Sequence, residues 1–133
     1  KKIRSAYQKY KPNKLYSITS DIIVGFPGET KEQFLDSAEV MKKAKFDMVY
    51  FGQYSPRPGT VAWKLKDNVS KKEKNRREKC LNEILKKTSL ENNKKYLGET
   101  LEILVESKKD DSYFGKTRTM KNVKFASMEK NLV

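Results

Sequence analysis

Residues 20–30 read Ser-Asp-Ile-Ile-Val-Gly-Phe-Pro-Gly-Glu-Thr, and no other stretch restricts the fold as much. Leu15 to Val24 is rich in β-branched residues and ends in the apolar run Ile22-Ile23-Val24. A continuous run of this kind is how a parallel strand covered on both faces reads. Gly25, Pro27 and Gly28 then break the chain into a turn, and Thr30 with Gln33 forms a capping box that opens a helix. In α/β folds ligands are held at such junctions, at the carboxyl ends of parallel strands. A lone glycine-rich turn can also be only a turn. Here a second loop, Tyr54-Ser55-Pro56-Arg57-Pro58-Gly59-Thr60, follows another strand-like run, Asp47 to Tyr54.

Strand, helix, strand of this length is a βαβ unit, whose crossover is right-handed. Strands 17–25 and 47–54 are therefore expected parallel and adjacent, with both loops at one end. The helix between them runs to about Lys45, with Phe34, Ala38 and Met41 on one face and Lys42, Lys43 and Lys45 at its negative end. Residues 1–11 also have helical spacing, stopped by Pro12. Ser70 and Glu73 make a second capping box ahead of a helix from Lys71 to about Lys95. Its apolar stripe is Cys80, Leu81, Ile84 and Leu85, and Lys72, Arg76, Lys79 and Lys86 fall on other faces.

After Gly98 the period changes from helical to two. Leu101, Ile103 and Val105 alternate with polar residues, and Lys108-Lys109-Asp110-Asp111 makes a hairpin turn. Tyr113 to Thr119 and Val123 to Ala126 follow as short strands. Short antiparallel strands carrying basic and aromatic residues suggest a small RNA-binding β-barrel, of which three strands are found.

The chain has 30 basic and 17 acidic side chains, a net charge of +13 that favours a polyanionic partner, most simply nucleic acid. The excess is densest over residues 64–98, with twelve basic and five acidic groups. A solvated helix face is the plainer explanation. One cysteine, Cys80, and no histidine exclude a disulfide framework and a Cys/His metal site built from this chain alone. Cys80 on an apolar face reads as a small core residue. No run approaches the roughly 18 apolar residues of a membrane helix.

Several residues carry two readings each. Asp21, Ile23 and Gly25 share one face on a two-residue period. Asp21 facing a barrel interior is either functional or part of a structural network. Glu29 is a ligand contact or a favourable charge at a helix amino terminus. Arg57, stiffened by two prolines, either meets a phosphate or carboxylate or braces its own loop. Phe114 and Phe125 interleave with Lys116, Arg118, Lys121 and Lys124. The aromatic pair suits a core, and the cations suit RNA.

The loops Gly25-Phe26-Pro27-Gly28-Glu29-Thr30 and Tyr54 to Thr60, with Gly115-Lys116-Thr117-Arg118, together resemble the radical SAM methylthiotransferase family. The resemblance is greatest to its tRNA-directed, MiaB-type branch. Met120-Lys121-Asn122 departs somewhat from the pattern after the last element.

The resemblance implies an α/β fold: the C-terminal part of a partial, TIM-like parallel barrel with its linking helix (residues 1–95), then the start of a TRAM domain, an incomplete OB-like antiparallel barrel (96–133). It implies a cytoplasmic, monomeric enzyme with S-adenosyl-L-methionine as cofactor and tRNA as partner, thiomethylating an isopentenyl-modified adenosine next to the anticodon. It implies cofactor contacts at Asp21, Ile23, Gly25, Gly28, Glu29 and Tyr54, and RNA contacts at Arg57, Lys116, Arg118 and Lys121. The family's [4Fe-4S] clusters need cysteines that this chain lacks, so the chain alone is expected to be inactive. A ribosomal-protein branch of the family usually carries an acid where Arg57-Pro58 stands. A basic RNA-binding module without enzymatic activity is the alternative from another class.

Overall fold

Strand β1 (Thr19–Val24) pairs in parallel with β2 (Met48–Gln53), Thr19 opposite Met48 and Val24 opposite Gln53. The computed structural model describes residues 2–129 and 132. Helix α2 (Lys31–Ala44) joins the two strands, and Thr30 and Gln33 form the capping box in both directions. The ladder begins before the strands proper. Asp47 donates its N–H to the Ile18 carbonyl at 2.8 Å and accepts the Ile18 N–H on its carboxylate at 2.9 Å.

The chain divides into two compact units. One runs from Ile18 to Lys94; the other joins Lys2–Ser17 to the segment from Lys95 on.

In the first unit Ile22 and Val24 of β1 and Val49 and Phe51 of β2 turn toward α2 and α3 (Lys71–Asn93). Phe34, Ala38 and Met41 of α2 and Leu81 of α3 complete the core, with Cys80, Ile84 and Leu85 packed at its margin. Cys80 is thus half-buried at the edge of the core and not inside it. The expectation of a strand covered on both faces is corrected. Helices lie on one face only, and on the other Ile23 and Tyr50 are 62% and 63% exposed. An apolar run reports the demand for burial, and this two-stranded sheet meets it on one side.

In the second unit α1 (Lys2–Tyr10) leads to a stack of Tyr7 on Tyr16 with ring centres 4.2 Å apart, and the Ser17 hydroxyl donates to the Thr119 carbonyl at 2.9 Å. Strands β3 (Ile103–Lys109), β4 (Ser112–Thr117) and β5 (Asn122–Phe125) form an antiparallel sheet in that order, which does not close. Tyr113 is its buried centre, stacked on Phe125 at 5.7 Å. The register of β3 against β4 shifts between Val105 and Ser107. Next to that irregularity a Cβ on Gly115 would lie 2.3 Å from the Leu104 carbonyl oxygen, so only glycine allows the approach.

Candidate functional site

Because β1 and β2 are parallel, the loops that leave them lie at one end, as the βαβ order requires. The Tyr54 N–H donates to the Val24 carbonyl at 2.9 Å, so the second loop starts against the end of β1. Phe26 meets the Tyr54 ring edge-on at 5.2 Å. The Tyr54 hydroxyl donates to the Ala62 carbonyl at 2.8 Å, which folds the chain back through a short 3-10 turn, Val61–Lys64.

A third segment, Asp67 to Arg77 at the start of α3, holds both loops. Lys74 and Arg77 are 4% and 5% exposed. The Lys74 ammonium donates to the Tyr54 carbonyl at 3.0 Å and to the Asp67 carboxylate at 2.6 Å, and it lies 5.2 Å from the centre of the Tyr54 ring. Arg77 donates to the Glu29 carbonyl at 3.1 Å, to the Glu29 carboxylate, and to Glu73 at 2.9 Å. Glu29 in turn accepts the Gly25 N–H at 2.6 Å. Asn68 accepts the Gly28 N–H at 2.7 Å. The hydrogen bond from Lys74 holds Asp67 below the usual aspartate range. Hydrogen bonds from Arg76, then Arg77, pull Glu73 down to about 2.

This frame explains several of the sequence candidates. Glu29 is more than a bare helix-end charge; it links Gly25 to Arg77. Gly25 has φ +72°, and a Cβ there would lie 2.4 Å from Lys74 Cγ, so its missing side chain makes room for the lysine stem. Gly28 has φ +84°, with open space where a Cβ would stand. Asp21 and Ile23 share the open face of β1, opposite Tyr50 and Gly52 of β2. Arg57 is exposed, and its carbonyl rather than its guanidinium ties the loop, accepting the Thr60 hydroxyl at 2.8 Å.

The second unit holds the other candidates. Lys116 pairs with Glu106 at 2.9 Å and Arg118 with Glu102. These four line a shallow depression of about 450 Å³ with Ile103, Leu104, Thr117 and Met120. Lys121 stands 5.7 Å from the Tyr96 ring centre, and Lys124 5.9 Å from that of Phe114. Thr117 is buried and braces the turn that follows, its hydroxyl accepting the Lys121 N–H at 3.1 Å.

Lys74 and Arg77 were missed because charged residues on a lysine-rich helix read as surface. Their spacing was the available signal. Positions 74, 77, 81, 84, 88 and 92 continue one another at three and four residues, and all but half-buried Ile84 are buried. The buried stripe of α3 thus begins with two cations and ends with Thr88 and Asn92.

The first unit is a βαβ element with both strand-end loops at one end, the end at which α/β folds hold their ligands. A protein named tRNA-2-methylthio-N(6)-dimethylallyladenosine synthase from Bacillus cytotoxicus is 45% identical over 113 residues, covering 83% of this chain and 22% of the relative. One of the same name from Pseudothermotoga lettingae is 44% identical over 115 residues, 85% of this chain and 26% of the relative. A third, from Koribacter versatilis, is 37% identical over 124 residues, 92% of this chain and 28% of the relative. The chain belongs to this methylthiotransferase family and matches a C-terminal part of it. It spans about a quarter of the length of these relatives. No family model matches the chain. Among the described residues no helix is long and apolar enough to cross a membrane.

Proposed function

We propose that this chain is part of a radical S-adenosylmethionine enzyme that thiomethylates a tRNA adenosine near the anticodon. Residues 1–95 would serve as the end of its barrel with the linking helix, and residues 96–133 as the beginning of a TRAM domain. The observation that carries the reading is the identity of 37–45% to synthases of that name, spread over most of the chain. The parallel strands with loops at one end support it. The relatives' name favours tRNA over a ribosomal protein, and an enzyme over a bare RNA-binding module. The enzyme is read as a cytoplasmic monomer.

The residues at the open strand ends fit S-adenosylmethionine in part. Asp21 and Ile23 are exposed there, and a Cβ added to Gly52 would meet only Ile23 Cγ1, at 3.9 Å. A flat group can rest on such a surface, with Gly28 leaving further room. Ile23 would pack against the adenine and Asp21 would accept a hydrogen bond, while Gly25, Glu29 and Tyr54 shape the loops behind. When bound, the cofactor supplies the radical and the methyl group. The cluster is a different matter. Among the described residues no His, Cys, Asp or Glu group could hold a metal, and one cysteine cannot supply a Cys-x-x-x-Cys-x-x-Cys site. The chain alone should therefore be inactive.

For tRNA, the exposed side of α3 is better placed than Lys116 and Arg118, whose charges already face glutamates. Lys72, Lys79 and Lys86 are exposed, and among the described residues none of the three forms an ion pair. At seven-residue intervals they recur on one side of the helix about every 10 Å. Arg57 and Lys121 remain candidates beside them.

The test is a mass-spectrometric analysis of nucleosides from cells lacking the 2-methylthio modification. The full-length protein should restore 2-methylthio-N6-dimethylallyladenosine, and its absence from tRNA would overturn the reading. In tRNA binding, Lys72, Lys79 and Lys86 changed together to alanine should flatten the slope of log affinity against log salt by roughly 2 units.

A further inference from the structure

We propose that Lys74 and Arg77 are positioning residues, which set the backbone of the two strand-end loops from the first turns of α3. The proposal deepens the reading of those loops as an S-adenosylmethionine site and rests on it for its second test only.

Taking an ammonium and a guanidinium out of water is unfavourable, and apolar residues at the same positions would often leave a protein equally or more stable. Core packing alone therefore gives no reason for a lysine and an arginine at the head of this stripe. What the two cations have in common is where their hydrogen bonds end. Lys74 reaches the Tyr54 carbonyl, at the first residue of the second loop. Arg77 reaches the Glu29 carbonyl and, through the Glu29 carboxylate, the Gly25 N–H. Both loops are thus gripped by backbone atoms, which fixes the path of the chain and not merely its side chains.

The rest of the segment agrees. Asp67 neutralises Lys74 from one side, and Glu73 neutralises Arg77. Gly25 has no Cβ at the point where the Lys74 stem crosses it. Arg77 also lies 5.4 Å from the centre of the Phe34 ring, which ties the grip to the first turn of α2. A single helix end therefore holds the exits of β1 and β2 in one register. Asp21 and Ile23, just before the first exit, inherit their placement from it.

The test uses two variants of the 133-residue chain. Lys74→Met with Asp67→Asn removes one grip as a neutral pair, so that no charge is left buried alone. Arg77→Lys keeps the charge but loses the fork, and it keeps the proposal testable should the pair fail to fold. Amide hydrogen exchange is then measured segment by segment. Residues 54 and 55 in the first variant and 25–29 in the second should exchange at least about tenfold faster, the effect of one lost hydrogen bond to a charged group. Protection within residues 20–24 should hold. Unchanged exchange in the loops, or an equal rise throughout β1, would overturn the proposal.

The second measurement is the affinity of the full-length protein for S-adenosylmethionine. It should weaken by about tenfold in both variants, measured at a temperature where both remain folded, on the same reasoning. Parental affinity in both would also overturn positioning. If the unsubstituted protein fails to bind S-adenosylmethionine, the functional reading falls, and the exchange experiment still decides the role of the two cations.

Discussion

Lys74 and Arg77 in the first unit lie almost out of water, and their hydrogen bonds run to the backbone of two loops. Lys116 and Arg118 in the second unit meet Glu106 and Glu102 at the surface, and each pair joins only two side chains. Both regions match acid to base, but they use the pairing differently. A buried cation must be satisfied completely, so it fixes whatever satisfies it. A surface pair is loose, screened by salt and easily exchanged for another partner. The first arrangement holds its surroundings in one geometry, and the second leaves its side chains free to re-pair.

Breaking one pair in each unit tests this contrast most severely. Arg77→Met leaves Glu29 and Glu73 facing a buried apolar group, and should cost about 3–5 kcal/mol. Urea denaturation followed by fluorescence reads it directly, because the single tryptophan, Trp63, lies in the first unit. Arg118→Ala should leave the melting of the second unit unchanged by circular dichroism. Comparable losses in the two units would end the distinction.

The two loop glycines separate space from strain. Gly25→Ala meets Lys74 Cγ at 2.4 Å and also needs a left-handed backbone. A destabilisation of about 2–3 kcal/mol is expected from overpacking and strain together. Gly28→Ala has the same backbone demand and open space, and should cost only about 1 kcal/mol. If both lose the same, the lysine stem yields easily and its grip on the loop is weak.

Acid sharpens the comparison further. Glu73 falls from an ordinary 4.5 to about 2 in the folded state, and Asp67 is also lowered. Groups depressed by folding stabilise fully above their unfolded values, and the contribution goes as pH falls through the folded ones. The first unit should therefore lose stability between about pH 4.5 and 2, as both states take up protons at different points. Glu102 is lowered as well, by its hydrogen bond from Arg118. Its exposed pair should lose this pH dependence in high salt, whereas that of the first unit should largely persist. Glu73→Gln should flatten the acid limb in thermal melts followed across this range.

Where local rules dominate, the chain was readable. Thr30 and Gln33 announce the start of α2, and Ser70 announces α3, although Glu73 turns its carboxylate to Arg76 and Arg77 instead of closing the box. The strand order and the shared end of both loops follow from βαβ chirality. Partners distant in sequence were not readable. The Arg77–Glu29 contact spans 48 positions; helical spacing sets Arg77 on the buried stripe but does not name its partner, whereas Arg76 pairs with Glu73 one turn away and lies 5.5 Å from the Phe34 ring centre. Glycine was ambiguous in the same way. Gly25 and Gly28 look alike in sequence, and only the tertiary fold brings Lys74 to one of them.

The smallest expected effect comes from the second unit, at the turn between β3 and β4. Asp110 has φ +52° at the first position of a two-residue connection, with Lys109 and Ser112 paired across it. Left-handed backbone at that position favours glycine, and Asp bears part of the steric penalty while keeping a polar side chain. Asp110→Gly should therefore stabilise the hairpin by about 0.5 kcal/mol, the relief of strain being partly offset by the greater freedom of glycine in the unfolded chain. The rise should appear in the thermal midpoint of the second unit and leave Trp63 fluorescence unaffected. A midpoint that falls would mean that the Asp110 side chain contributes more to the turn than its backbone costs. The second unit would then also depend on a local polar contact, and its contrast with the first would narrow.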